Sequence, residues 1–258
     1  MRRLALAAFA ALAIAAPAHA AEEQDIPKQH WSFDGPFGTY DRAALQRGFQ
    51  VYKEVCSACH SMSLVHYRDL GPPGINGTGG IGFSADEVKA LAAEVEVTDG
   101  PNDQGEMFQR PGKPADRFKA PFPNDNAARA SNNGALPPDL SLMAKARKGG
   151  PNYIYAVLTG YTDPPPGVQV MEGMHYNKAF PGHQIAMPPP LNPDQVTYAD
   201  GTKATVEQMA HDVSTFLNWT AEPELEARKR LGVKVILFLI LLSGLLYIAK
   251  RKIWAAVH

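Results

Sequence analysis

The sequence predicts a mainly α-helical head with long loops, carried on one C-terminal membrane-spanning helix. Three observations predict it. Apolar residues recur at helical spacing behind N-cap residues in several segments, few stretches alternate as strands do, and a long uncharged apolar run lies near the C-terminal end. Roughly two hundred residues lie between the two apolar ends, enough for one well-formed domain.

The helices follow in order. Asp41 is placed to cap a helix running through Ala43, Leu45, Phe49 and Tyr52. Ser84 and Glu87 form a capping box ahead of Val88, Leu91 and Val95. Leu140 to Arg147 and Asn152 to Thr159 read as two short helices separated by Gly149-Gly150-Pro151. Thr205 and Gln208 open another, carrying Met209, Val213, Phe216 and Leu217 and ending near Trp219. Gly71–Gly82, Gly100–Asn126 and Asp163–Pro193 read as long loops. Loops of that length are unusual in a compact domain unless something other than side chains fills part of its core.

Both ends are apolar for different reasons. Arg2-Arg3, the uncharged stretch Leu4–Ala16 and Ala18-His19-Ala20 make a signal peptide over residues 1–20, since the stretch is too short to span a bilayer. Val235–Ala249 carries no charge, and extension back to Leu231 admits only Lys234, which can snorkel. Residues 231–249 are therefore expected to cross a membrane, with Tyr247 and Trp254 at interfacial depth. Arg228-Lys229-Arg230 and Lys250-Arg251-Lys252 nearly balance across this span, so charge alone does not orient it. The signal peptide does: residues 21–227 fall outside and residues 250–258 form a cytoplasmic tail.

Cys56-Ser57-Ala58-Cys59-His60 carries the chemistry. Two thiols three apart with His directly after the second is the attachment sequence of a c-type haem. The thiols form thioethers with the porphyrin vinyl groups, and the short tether leaves His60 to ligate iron from the proximal side. A thioredoxin-type redox pair would call for a βαβ context, and a zinc site for ligands that a chain with two cysteines can hardly supply. With both cysteines committed to haem, no disulfide is expected.

The second axial position decides between electron transfer and ligand chemistry. Met62 is too close to His60 to reach the opposite porphyrin face. Met143 and Met209 occupy apolar helical positions, where Met is usually core filler. Met187 opens Met187-Pro188-Pro189-Pro190-Leu191, a stiff segment with three missing backbone donors. On spacing alone Met187 leads, and Met171, Met174 and His183 stay open. A thioether ligand would raise the haem potential relative to a second His.

Charge is uneven. The chain sums to −1, yet residues 21–227 hold 16 Lys and Arg against 26 Asp and Glu. Asp86–Glu106 concentrates this, with seven acids against Lys89 alone. Such a run is either a solvated face or a steering surface for a basic partner. Its sign excludes nucleic acid as a partner of the head.

Five segments in order carry a resemblance: Cys56 to Met62 (CSACHSM), Ala130 to Ser141 (ASNNGALPPDLS), Tyr153 to Tyr161 (YIYAVLTGY), Met187 to Leu191 (MPPPL) and Trp219 to Glu224 (WTAEPE). Followed by a C-terminal anchor, they resemble the cytochrome c1 family, haem subunits of the cytochrome bc1 complex, here of bacterial type. The resemblance implies one haem c, with His60 and Met187 as axial ligands. It also implies Arg147 and Tyr153 beside a haem propionate, roles that suit a permanently charged fork and a hydroxyl donor. The chain would then be no enzyme on its own. It would take single electrons from the Rieske iron–sulfur protein and pass them to a soluble c-type cytochrome, beside cytochrome b, in a dimeric complex of the bacterial inner membrane. The acidic head would suit a basic soluble partner.

Two other classes compete. A peroxidase or oxidase subunit would call for an exchangeable sixth site or a second metal centre. A free-standing tethered shuttle would purify without other subunits.

Overall fold

The computed structural model describes residues 26–74 and 79–255. The expected signal peptide lies outside the described residues, as do the last three positions of the tail. The chain is mainly helical, 43% helix against 7% strand, with long connecting loops.

Helix α1 spans Arg42–Glu54, and the Asp41 carboxylate accepts from the backbone N–H groups of Ala43 and Ala44, as its sequence signature predicts. Helix α2 spans Ala85–Ala93 with both halves of the Ser84–Glu87 capping box formed. Strand β1 (Glu96–Asp99) pairs antiparallel with β2 (Phe108–Pro111). Helix α3 spans Asp125–Ser131, so the expected loop Gly100–Asn126 holds a strand and the first turn of a helix. Of the helix expected at Leu140–Arg147, only Met143–Ala146 is formed, as α4. Helix α5 spans Pro151–Thr159, with Pro151 where a missing N–H is harmless. Gly149 and Gly150 both take positive φ in the tight turn between α4 and α5, a region costly for residues with a Cβ. Strands β3 (His175–Tyr176) and β4 (Gln184–Ile185) make a second small antiparallel pair inside the expected loop Asp163–Pro193. Helix α6 spans Val206–Ala221, two residues beyond Trp219, and α7 runs Leu225–Trp254.

The head is built on the packing of α1 against α6. Gly48 permits it: a Cβ there would lie 2.1 Å from the Asp212 carbonyl oxygen and 2.7 Å from the Phe216 Cβ. Aromatic rings of Phe49, Tyr52, Phe118, Phe216 and Trp219 interlock around this contact, with neighbouring centroids 5.6–6.0 Å apart. Asp212 of α6 is fully buried, and the Arg47 guanidinium of α1 grips both of its oxygens, at 2.8 and 3.1 Å. Gln208 donates to the same carboxylate at 3.0 Å, so the buried charge is paired and hydrogen-bonded.

Helix α7 has the length and composition to cross a membrane. Thirty residues at 1.5 Å each give about 45 Å, enough for the hydrocarbon core and both interfaces. Its base is clamped to the head. The Glu226 carboxylate takes the Tyr40 N–H at 2.8 Å and Arg42 at 2.7 Å, and Lys229 Nζ donates to the carbonyls of Phe33 and Gly38.

Candidate haem site

Helix α1 ends at Glu54, and Cys56–Ala58 continue it as one tighter 3-10 turn. The N–H groups of Cys59 and His60 both return to the Cys56 carbonyl, at 3.1 and 2.9 Å. Both cysteines are unpaired: Cys56 is half-buried, Cys59 exposed. Burial pushes the Cys56 thiol up to about 12, with Cys59 adding to the shift. The turn is held from below by the Tyr52 hydroxyl, which donates to the His60 carbonyl at 3.3 Å.

A second segment orients the imidazole. Asp139 accepts from Ser61 Oγ at 2.9 Å and from the backbone of Ser63 and Ser141, each at 2.8 Å. Leu140 donates its N–H to the Ser61 carbonyl at 2.9 Å. These bonds zip residues 138–141 along residues 60–64 and bring the Pro138 carbonyl to 2.8 Å from His60 Nδ1. Burial tends to raise the Asp139 carboxyl, yet hydrogen bonds from Ser141 and Ser63 outweigh it and hold the group down to about 2. Burial lowers the His60 pKa, against smaller opposing effects of Pro138 and Asp139. With Nδ1–H donated to a carbonyl, Nε2 carries the lone pair.

Met187 belongs to a separate apolar cluster. Val157, Ala179 and Ile185 are buried there, with Tyr153, Tyr161, Phe180 and Met187 packed against them half-buried. Helix α5 serves both clusters, since Ile154 belongs to the main core and Val157 to this one. Among the four candidates for the second iron ligand, Met187 is the one in this cluster. Met171 is 62% exposed. Met174 lines a cavity of about 700 Å³ with Tyr161, His175, Pro189 and Leu191. His183, at φ 58°, has its Nδ1 3.2 Å from the Asn177 carbonyl and its ring stacked on Tyr176. Met209 is a fully buried core residue and Met143 packs against the same core, in keeping with the sequence expectation; Met62 is fully buried too.

Arg147 and Tyr153 are brought together. Burial raises the Tyr153 hydroxyl, while the charge of Arg147 and a side-chain hydrogen bond from it act the other way. Arg147 itself is exposed at the end of α4. Three polar residues of the site carried no assigned role in the sequence reading: Asp139, Tyr161 and Asn177. Pro137-Pro138-Asp139 is a turn signal that marks the first, whereas Asn177 sits inside the expected loop Asp163–Pro193 and Tyr161 between that loop and the expected helix Asn152–Thr159.

The donor set fits a covalent haem. It offers two unpaired thiols on one turn, an imidazole with Nε2 available, and a half-buried apolar cluster containing a thioether and a hydroxyl beside a guanidinium. These features, with the apolar helix α7, define a membrane-attached c-type haem protein. Residues 31–257 match the Cytochrome C1 family. The chain is 51% identical to cytochrome c1 of Rhodospirillum rubrum, covering 98% of this chain and 97% of that one. It is 54% identical to the mitochondrial cytochrome c1 1, heme protein, of Arabidopsis thaliana over 83% of this chain and 67% of that one. A 52% identity to cytochrome b/c1 of Bradyrhizobium diazoefficiens covers 90% of this chain but only 36% of that longer protein. The chain belongs to the cytochrome c1 family, electron-transfer subunits of the bc1 complex that carry one covalently bound c-type haem.

Proposed function

We propose that the chain is the one-electron carrier between the Rieske iron–sulfur protein and a soluble c-type cytochrome, within a bacterial quinol–cytochrome c oxidoreductase. The single observation that carries this reading is the pairing of His60 Nδ1 with the Pro138 carbonyl beside two unpaired thiols. It supports a neutral, oriented imidazole aimed at iron.

Haem c, when bound, supplies a one-electron iron couple. The chain's residues do the rest. Cys56 and Cys59 would tether the group, His60 and Met187 would supply its iron ligands, and Arg147 with Tyr153 would bind a propionate. A filled axial pair favours electron transfer over ligand exchange, and a thioether favours a high potential. Residues 1–20 direct export, residues 21–227 form a periplasmic head, residues 231–249 anchor it beside cytochrome b, and residues 250–258 stay cytoplasmic. The complex is dimeric. Acidic residues of the head favour a basic soluble partner, although Glu94 and Asp99 are already paired with Lys53 and Arg110.

Purification from membranes by a tag on the full chain tests this. One c-type haem copurifying with b-type haem and an iron–sulfur signal is the expected result. A c-type haem that purifies alone supports the tethered shuttle instead.

A further inference from the structure

The loop that carries Met187 has little backbone with which to hold itself. Pro188, Pro189 and Pro190 have no N–H, so this run cannot donate into a turn or a ladder. Whatever fixes it through hydrogen bonds must donate onto its carbonyls. Tyr161 does so: its hydroxyl donates to the Met187 carbonyl at 3.0 Å, across 26 residues of sequence.

Tyr161 is itself fixed. It forms a β-bridge with Asn177, and Asn177 is fully buried with its side-chain amide committed at both ends. The amide Nδ2 donates to the Val157 carbonyl at 2.8 Å, and Oδ1 accepts from Ala179 and Phe180 at 2.9 and 3.1 Å. The Lys178 N–H adds a bond to the Gly160 carbonyl at 2.9 Å. The C-terminal end of α5 is thus stitched to the β3–β4 pair, whose last residue, Ile185, lies two positions before Met187.

We infer that Tyr161 is a positioning residue for the sixth iron ligand, its hydroxyl holding the Met187 backbone so that the thioether stays on iron in both oxidation states. The inference rests on the proposed His60–Met187 ligation. Its physical basis is that a thioether is a soft ligand, better matched to ferrous than to ferric iron. The ferric bond is the weaker one, so any slack in the loop is felt there first. Slack that lets ferric iron exchange the thioether for another ligand stabilises the oxidised form and lowers the potential. A preorganised loop suppresses that exchange by having less freedom to lose.

Tyr161→Phe keeps the ring and its packing and removes only the donor. The experiment uses the full chain in native membranes, with haem content, a redox titration, and carbon monoxide binding to the reduced form. Tyr161→Phe at full haem content is expected to show a downward shift of the midpoint potential and a gain of carbon monoxide binding. Met187→Leu should show a larger shift of both, and the double variant no more than Met187→Leu alone, because the hydroxyl acts through Met187. Unchanged potential and carbon monoxide binding in Tyr161→Phe would overturn the inference, as would fully additive effects in the double variant. A Met187→Leu protein with the parent potential would overturn the ligation reading itself, a failure visible without reference to Tyr161.

Discussion

His60 Nδ1 and the Pro138 carbonyl oxygen lie 2.8 Å apart, joining residues 78 positions distant in sequence. The contact fixes the tautomer of the imidazole and leaves Nε2 with the lone pair that the proposed iron ligation requires. It exists because Asp139 and Leu140 are zipped onto Ser61 and Ser63, so the proximal half of the site is a property of two segments rather than of the CSACH motif alone.

Covalent attachment is expected to depend on both thiols of that turn. The double variant Cys56→Ala, Cys59→Ala is expected to lose all haem that resists denaturation, read by haem staining on a denaturing gel. Staining equal to the parent would remove these residues from the site.

Asp139 gives the site a pH signature. Its folded-state pKa is held near about 2, below the usual carboxylate value of about 3.9. A depressed carboxyl contributes stability that is present above the unfolded value and lost as pH falls through the folded one. The parent should therefore lose stability between about pH 4 and pH 2, and Asp139→Asn should lose less over that window. Asp116, held down by Arg110, and Asp200, held down by Thr202 and Arg47, leave a remainder in the variant. Urea midpoints across this range decide it: identical pH slopes in parent and variant contradict the assignment.

Asp212 closes the contact between α1 and α6 from within the core. Asp212→Ala leaves the Arg47 guanidinium, 16% exposed, without the carboxylate it grips through two nitrogens. The expected cost is about 3–5 kcal/mol, measured by denaturant unfolding of the purified chain. A loss below about 1 kcal/mol would show that solvent or Asp200 replaces the partner.

Gly48 is a steric requirement of the same contact. Gly48→Ala must displace α6 backbone, because the nearest obstacle is the Asp212 carbonyl oxygen at 2.1 Å. A destabilisation of about 1–3 kcal/mol is expected, as for other overpacked cores. Parent-like thermal unfolding would contradict the tightness of this crossing.

Much of this was legible in the sequence, and the misses have a common cause. The caps at Asp41, Ser84 and Thr205 set three helix starts correctly, since a side-chain oxygen three residues before an N–H is a local signal. The CSACH motif is equally local. The pairs β1–β2 and β3–β4 were missed because two- and four-residue strands are too short to show alternation, and their pairing depends on the other strand. Tyr161 and Asn177 were missed for a related reason. A Tyr and an Asn in a Gly- and Pro-rich run carry no periodic signal, and their roles arise only when α5 meets the Met187 loop. The expected acidic face was partly dissolved in the same way, by Lys53 and Arg110 arriving from elsewhere in the chain.

The most direct test of the electron-relay reading is time-resolved absorbance of the c-type haem in membranes containing the full chain. Addition of quinol should reduce it, and an oxidised soluble c-type cytochrome should then reoxidise it, with no carbon monoxide adduct in the reduced state. A haem that stays oxidised with quinol, or that binds carbon monoxide when reduced, would contradict the account.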